Sequence, residues 1–211
     1  AEPALRKLAD QQHAVKELRK IAGTELVGTK VKNPMTGSEL VILPASFVTA
    51  DTGTGIVMSV PAHAPYDWMA LKELQDKKHP WTEHIKVISV VGVEGGPEFF
   101  ALAICDQLGI KSASDPKLAE ATQLVYKKEF HSGKLKQLTG AYAGKTITDA
   151  KPELIKELTS TGKAIIFHEL INQVICRCLA RCHVKIVDNQ WFLKYGDATW
   201  KQDSAKCLAA M

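Results

Sequence analysis

The sequence predicts an α+β fold built on a mostly antiparallel or barrel-like sheet. Segments with strand-like patterns open and close the main region, and segments with apolar residues at helical spacing lie between them. This arrangement fits less well with the regular strand–helix alternation of a parallel sheet. Since 45% of the 211 residues are apolar, the chain can bury the core of one large domain or two small ones.

The first part of the chain predicts one helix and one hairpin. Apolar residues at helical spacing run from Pro3 to Ala22, and Gly23 follows as a stop signal. The pattern becomes extended from Glu25, where two apolar segments flank the turn-forming residues 33–37. We therefore expect an amphipathic helix followed by a β-hairpin.

The rest of the chain predicts five helices and several strands. Helical spacing, capping residues and terminal glycines indicate helices over Tyr66–Lys78, residues 99–108 before Gly109, the segment from Ser114 or Asp115 to Gly133, the segment from Thr148 or Asp149 to Gly162, and Asp197–Ala210. A continuous apolar pattern predicts a buried strand over residues 84–93. A run of short strands is expected between residues 163 and 195.

Composition excludes several classes of protein. No stretch approaches the roughly 18 apolar residues of a membrane span, and the first residues lack an apolar signal core. Five cysteines, an odd number, indicate a reducing compartment, so we expect a soluble protein of the cytoplasm. The net charge of +4 permits an anionic partner without requiring one. Two basic clusters fit solvated helix faces better than specific phosphate contacts. They are Lys77 with Lys78, and Lys127 with Lys128, Lys134 and Lys136.

The segment TGTGIVMSVPAHAPYD carries the residues best suited to chemistry. Gly53 and Gly55 flank Thr54, so the backbone can approach a ligand closely and present its N–H groups. Prolines on both sides of the following turn would present His63 and Asp67 beside that loop. A carboxylate there can pair with an ammonium group, while loop amides and a hydroxyl can meet a carbonyl or a developing oxyanion.

The residues alone leave other interpretations open. A TGTG turn between two strands is often purely structural, and this one lacks the lysine and helix order of a nucleotide P-loop. His63 is a candidate general base, but a lone histidine is commonly a hydrogen-bonded surface or core residue.

Several segments of the chain together resemble one known family. They are GTGIVMSVPAHAPYDW, ELVG near the start, AICDQLGIKS, LVYKKEFHSGKL, GKTITDAKPELIKEL and CRCLARCHVKIVDNQWFLKYGD. They are similar, in this order, to the editing domain of leucyl-tRNA synthetases of the archaeal and eukaryotic cytosolic type. That domain is the first connective peptide inserted into a class I catalytic fold, and the resemblance covers essentially the whole chain.

The resemblance implies hydrolysis of mischarged aminoacyl-tRNA(Leu). A synthetic site rejects amino acids close to leucine in size by only a modest factor, so a second site hydrolyses the errors. Water would attack the ester carbonyl, aided by positioning and by the free ribose hydroxyl of the tRNA end. The parent enzyme would ligate leucine with ATP and Mg²⁺, and this chain would need no cofactor.

The resemblance also implies roles for individual residues. Asp67 would anchor the α-ammonium group of the substrate, and the loop with Thr54 would lie against the aminoacyl ester and the terminal adenosine. His63 is interpreted as a pocket residue rather than as the base. The residues implied to bind substrate or to exclude leucine sterically are Thr52, Gly53, Gly55, Met58, Val60, Pro61, His63 and Ala64.

Three motifs of the family do not occur in this sequence. One is the threonine-rich peptide T-x-R-P-E-T, which supplies a wall of the editing pocket, and the others are the HIGH-like and KMSKS-like motifs for ATP chemistry. We therefore expect residues 1–190 to form an editing domain without its N-terminal part. Residues 191–211 would then be a return segment toward the catalytic core.

Partners and alternatives follow from the same resemblance. The implied partners are the 3′ end of tRNA(Leu) carrying a mischarged amino acid and the rest of the synthetase, with no membrane and with a monomeric state. An isoleucyl or valyl editing domain is an alternative, because those relatives share a GTG loop and a later aspartate. A non-catalytic tRNA-binding module is another.

One group of cysteines has possible metal-ligand spacing. Cys176, Cys178 and Cys182 precede His183, but structural zinc sites more commonly use paired CxxC knuckles. In a strand, Cys176 and Cys178 would share one face, which fits core packing as well as ligation. We expect no metal, with these four residues as the zinc candidates.

Overall fold

The computed structural model describes residues 1–211 and contains seven α-helices, four short β-strands and one 3-10 helix. The helices are α1 (Glu2–Asp10), α2 (Gly23–Leu26), α3 (Pro65–Asp76), α4 (Phe100–Leu108), α5 (Leu118–Ser132), α6 (Ile147–Ser160) and α7 (Ala198–Ala209). The strands are β1 (Lys30–Lys32), β2 (Glu39–Val41), β3 (Val91–Gly92) and β4 (Lys134–Leu135), and the 3-10 helix is Gln137–Tyr142. The α+β class predicted from the sequence is confirmed.

The sheet differs from the barrel-like sheet that the sequence predicts. β1 pairs with β2 and β3 pairs with β4, which gives two antiparallel sheets of two strands each and no closed barrel. The segments 56–60 and 163–193 are largely without strand partners, apart from one isolated bridge between Ile175 and Arg181. An apolar pattern indicates an extended segment, but it does not specify which distant segment completes the ladder.

Helices supply the core instead. Met69 of α3, Cys105 of α4, and Leu118 and Ala121 of α5 are almost completely buried in one cluster. α4 ends at Gly109, whose φ of +67° is favoured by a residue without Cβ. Because α3 packs on both α4 and α5, its first turn is held firmly at one end of this three-helix unit.

The first helix is shorter than predicted. α1 ends at Asp10, and the expected continuation to Ala22 is wrong. Gln12 has a φ of +63°, and the buried Gln11 amide donates to the His168 carbonyl and accepts from the His168 N–H, both at 2.7 Å. These contacts join residues 157 positions apart, so local helical spacing could not reveal the stop.

Most other helix boundaries agree with the sequence within a few residues. α6 begins after Thr146 rather than at Thr148 or Asp149, because the Thr146 hydroxyl accepts the Asp149 N–H at 3.2 Å. α7 is capped by Asp197 as expected.

The predicted strands between residues 163 and 195 do not form ladders. This segment has almost no regular secondary structure and is largely exposed, and its aromatic residues Trp191 and Phe192 retain 99% and 87% of their accessible surface. No helix in the chain is long and apolar enough to cross a membrane.

Candidate active site

A proline-bounded turn leads into α3. The Val60 carbonyl accepts the N–H groups of His63 and Ala64 at 2.9 and 3.0 Å, which closes the turn. Pro65 then occupies the first helical position, where its missing N–H leaves no donor unsatisfied. The turn thus brings together four of the predicted site residues, which are Val60, Pro61, His63 and Ala64.

Asp67 is the third residue of α3 and is only 7% exposed. Its Oδ2 accepts the Val60 N–H at 2.6 Å, which links the carboxylate back to the turn. Burial raises the pKa of Asp67 above its ordinary value, while hydrogen bonds from the Val60 N–H and the Ser59 hydroxyl oppose that shift. Its place in the first helical turn also favours a negative charge.

Asp67 has no cationic partner within the chain. Asp67 and Glu129 are the two buried acidic residues, and only Glu129 is paired, with His63. A buried carboxylate without a counter-ion is unfavourable to the folded state, and such groups concentrate at functional sites. Asp67 is therefore a buried carboxylate that no cationic side chain of the chain neutralises.

His63 uses both of its ring nitrogens within the fold. Nδ1 lies 2.7 Å from Glu129 Oε1, and Nε2 lies 2.9 Å from the Val90 nitrogen. A backbone N–H can only donate, so Nε2 accepts and the ring proton sits on Nδ1 facing Glu129. With neither nitrogen available to a water molecule, His63 has no geometry for a general base.

The glycine-threonine loop lies against a different part of the chain. The Gly53 N–H donates to Glu169 Oε2 at 2.8 Å, and the Thr54 hydroxyl donates to the Ile56 carbonyl at 3.0 Å. Gly53 and Gly55 have φ values of +54° and +76°, a region that favours glycine. The Gly53 N–H is therefore bonded to an acidic side chain of the same chain.

A cleft of about 430 Å³ lies beside this loop. Thr52 and Asp51 form one side, and Lys7 of α1 and Glu169 form another. Lys7 pairs with Glu169 and lowers its pKa, while Asp51 pairs with Arg181. This cleft could not be predicted from the sequence, because Glu169 lies more than 100 positions from Thr52 and Lys7 on the facing walls.

The predicted site residues thus fall into two groups. One group lies in the turn and the first turn of α3 and consists of Val60, Pro61, His63, Ala64 and Asp67. The other lies in the loop, where Thr52 lines the cleft and the Gly53 N–H donates to Glu169 on its far wall. Residues 56–60 connect the two groups. In this segment Met58 is exposed, and its Sδ lies 4.0 Å from Asn33 Nδ2. No hydrogen bond joins Thr54 or Gly55 to Asp67.

Sequence reasoning missed Glu129. The residue lies 66 positions from His63 and sits in a helix whose charged residues otherwise suggest a solvated face. Its only local signal is spacing: Leu118, Ala121, Val125 and Glu129 all fall on the buried stripe of α5.

The cysteine cluster does not converge. Cys176 and Cys178 are exposed, Cys182 is half-buried, and His183 bonds to Asp10 Oδ2 at 2.8 Å. No three His, Cys, Asp or Glu side chains gather where they would hold a metal ion.

Comparison with known proteins places these residues in a family. The family described as "Leucyl-tRNA synthetase, editing domain" matches residues 3–89. The leucine–tRNA ligase of Methanothrix thermoacetophila is 49% identical over 215 residues, which cover 99% of this chain and 23% of that protein. The chain belongs to the leucyl-tRNA synthetase editing domains.

Further relatives agree with this assignment. The leucine–tRNA ligase of Methanosarcina barkeri is 42% identical over 214 residues, which cover 99% of this chain and 22% of the ligase. These archaeal relatives favour a leucyl editing domain over the isoleucyl and valyl alternatives. The editing-domain chain therefore spans less than a quarter of the length of the curated relatives it matches.

Solved editing domains share the fold. The crystal structure of GlLeuRS-CP1 superposes with a TM-score of 0.71 at 24% identity, covering 81% of this chain and 69% of that one. The editing domain of the P. falciparum cytosolic leucyl-tRNA synthetase gives 0.71 at 20% identity, covering 80% and 61%. The α+β architecture is thus that of leucyl-tRNA synthetase editing domains.

Proposed function

We propose that this chain hydrolyses mischarged aminoacyl-tRNA(Leu). Water adds to the ester carbonyl, the bond to the ribose oxygen breaks, and the products are the free amino acid and tRNA(Leu). The ribose oxygen takes up a proton as it leaves. The proposal rests on membership of the editing-domain family and on one observation, the buried Asp67 carboxylate without a cationic partner.

Asp67 is proposed to bind the α-ammonium group of the aminoacyl ester. An ammonium group would supply the counter-ion that the protein itself does not, and pairing inside a site shielded from water is stronger than at the surface. The engagement of both His63 nitrogens supports a mechanism without a histidine base. Positioning and the free ribose hydroxyl would then direct the water.

The loop is proposed to bind the ester and the terminal adenosine. The residues concerned are Thr52, Gly53, Thr54 and Gly55. The N–H groups of Thr52 and Gly55 donate within the loop, the Thr54 N–H has no partner in the chain, and the Gly53 N–H donates to Glu169 as it would to a ligand oxygen. Met58 and Val60, on the segment between loop and turn, are proposed to exclude leucine. On this proposal, Met58→Ala enlarges the pocket and allows leucyl-tRNA(Leu) to be hydrolysed.

The wider setting is also a proposal. We infer that the chain acts as a monomeric domain in the cytoplasm, on the 3′ end of tRNA(Leu), and that residues 1–190 are the editing domain proper. Residues 191–211 would connect to the catalytic core, a role supported by the exposure of Trp191 and Phe192. Leucine ligation with ATP and Mg²⁺ would belong to the rest of the synthetase.

The experiment is deacylation of norvalyl- and isoleucyl-tRNA(Leu), with leucyl-tRNA(Leu) as the control substrate. The chain is assayed alone and fused behind the threonine-rich peptide that the family resemblance implies. We expect the mischarged esters to be hydrolysed faster than the leucyl ester. Salt-dependent tRNA binding without hydrolysis in either form would instead indicate a non-catalytic module.

A further inference from the structure

We infer that Glu129 is a positioning residue of the editing site, acting on Asp67 through His63 and the turn at Val60. The inference rests on the proposed function, since it names a residue that orients the same site. It assigns a role to the buried acid that the proposed chemistry does not use.

The first step is the pairing of Glu129 with one tautomer of His63. The two side chains are only 7% and 11% exposed, and their Nδ1–Oε1 distance is 2.7 Å. Because the Val90 N–H donates to Nε2, the imidazole proton is left on Nδ1, where Glu129 accepts it. A carboxylate that accepts the second ring N–H of a histidine fixes both its tautomer and the orientation of its ring.

The second step is the close packing that holds Glu129 in place. Gly133, one turn beyond Glu129, donates its N–H to the Glu129 carbonyl at 2.8 Å. A Cβ at Gly133 would lie 2.5 Å from the Val91 side chain, so the end of α5 lies directly against β3. Glu129 and Val90 therefore approach the same imidazole from two elements that are packed on each other.

The third step leads from the imidazole to the functional carboxylate. The His63 N–H donates to the Val60 carbonyl, and the Val60 N–H donates to Asp67 Oδ2 at 2.6 Å. Moving His63 would move Val60, and with it the donor that orients Asp67. Neighbouring Ala62 is fully buried, and its carbonyl accepts the Ala101 N–H of α4, so the turn has little freedom to compensate.

The same geometry separates this role from catalysis. The Glu129 side chain makes no hydrogen bond to the glycine-threonine loop or to Asp67, and His63 has no nitrogen left for water. Glu129 therefore acts by holding His63 in place, as a carboxylate that bonds to a metal-binding histidine holds that ring in place.

The test compares Glu129→Gln, Glu129→Asp and Glu129→Ala with Glu120→Gln, an exposed glutamate in the same helix. Gln keeps an oxygen that accepts the Nδ1 proton, whereas Asp keeps the charge but withdraws it from the ring. In the wild-type chain, nitrogen NMR of His63 should show the proton on Nδ1. We expect Gln to retain this tautomer and the wild-type deacylation rate, while Asp and Ala lower kcat/KM by about 10- to 100-fold.

Amide hydrogen exchange at Val60 and Val90 provides a readout that does not depend on deacylation. Both amides should exchange faster in Glu129→Asp and Glu129→Ala than in the wild-type chain. Their exchange rates should be unchanged in Glu129→Gln and Glu120→Gln. A proton on Nε2 in the wild-type chain, or unchanged exchange at both amides in Glu129→Asp, would overturn the inference. If the wild-type chain hydrolyses no ester, the proposed function fails, whereas the NMR and exchange results still decide the role of Glu129.

Discussion

At the scale of single residues, Asp67 combines a proposed function with a penalty to stability. It is buried, it lacks a cationic partner, and its pKa is raised by that burial. Groups that weaken the fold yet persist are typical of binding sites, because the ligand supplies what the fold omits. The proline-bounded turn made the neighbouring positions of His63 and Asp67 predictable from the sequence, whereas the contact of Glu129 with His63 was not, because it depends on how α5 packs.

The raised pKa of Asp67 gives a prediction for stability against pH. The folded chain holds the Asp67 proton to higher pH than the unfolded chain, whose ordinary value is 3.8. This contribution to stability is therefore fully present below 3.8 and is lost as the pH rises through the folded-state pKa. Asp67→Asn, which keeps an oxygen for the Val60 N–H, should not show this loss.

Urea unfolding measures the effect. We expect Asp67→Asn to have a higher urea midpoint than the wild-type chain at neutral pH, and the difference to vanish below about pH 4. Asp106→Asn, at an exposed aspartate of α4, should leave the midpoint unchanged at every pH. A lower midpoint for Asp67→Asn at neutral pH would show that burial does not destabilise the carboxylate.

At the scale of elements, long-range contacts decide where α1 ends. Helical spacing continues to Ala22, but Gln11 is 3% exposed and exchanges two hydrogen bonds with His168. The ends of α4 and α7 were predictable, because Gly109 and Asp197 act within their own helices. Boundaries set by local capping can be read from sequence, and boundaries set by a partner 157 residues away cannot.

Gln11→Ala tests the link between α1 and the segment around His168. Loss of the side chain removes two partly buried hydrogen bonds, so we expect a loss of about 1–3 kcal/mol. Gln107→Ala, at an exposed position of α4, is the control and should change stability by less than about 0.5 kcal/mol. Equal effects of the two substitutions in urea unfolding would contradict the role of Gln11.

Gly133→Ala tests the contact between α5 and β3. The added Cβ would lie 2.2 Å from the Glu129 carbonyl oxygen and 2.5 Å from Val91 Cγ1, so the backbone must shift. We expect a loss of about 1–3 kcal/mol in the free energy of unfolding. Gly23→Ala meets nothing within 4 Å and should be neutral, and calorimetry that finds both variants alike would refute this packing.

At the scale of the whole molecule, the chain has one packed helical unit and one irregular, largely exposed region. The unit of α3, α4 and α5 holds most of the buried apolar residues and the turn with Asp67, whereas residues 163–193 are largely exposed. The class of the fold was predictable because helix signals are local. The sequence predicted a barrel-like sheet that the structure does not contain, because strand pairing between distant segments has no comparable local signal.

Hydrogen exchange should reveal this division. We expect amides in the middle of α3, α4 and α5 to be the slowest to exchange, and those of residues 163–193 to be among the fastest. Protection over residues 163–193 equal to that of α5 would contradict the division and indicate that these segments pair into a sheet.

The central claim is that Asp67 binds the α-ammonium group of a mischarged aminoacyl ester. It is tested most directly by deacylation of norvalyl-tRNA(Leu) and its N-acetylated form, which lacks the positive charge, by the wild-type chain and by Asp67→Ala. We predict that acetylation slows the wild-type chain by about 10- to 100-fold and leaves the residual rate of Asp67→Ala unchanged. Equal slowing of both proteins by acetylation, or full activity of Asp67→Ala on the free ammonium substrate, would contradict the claim.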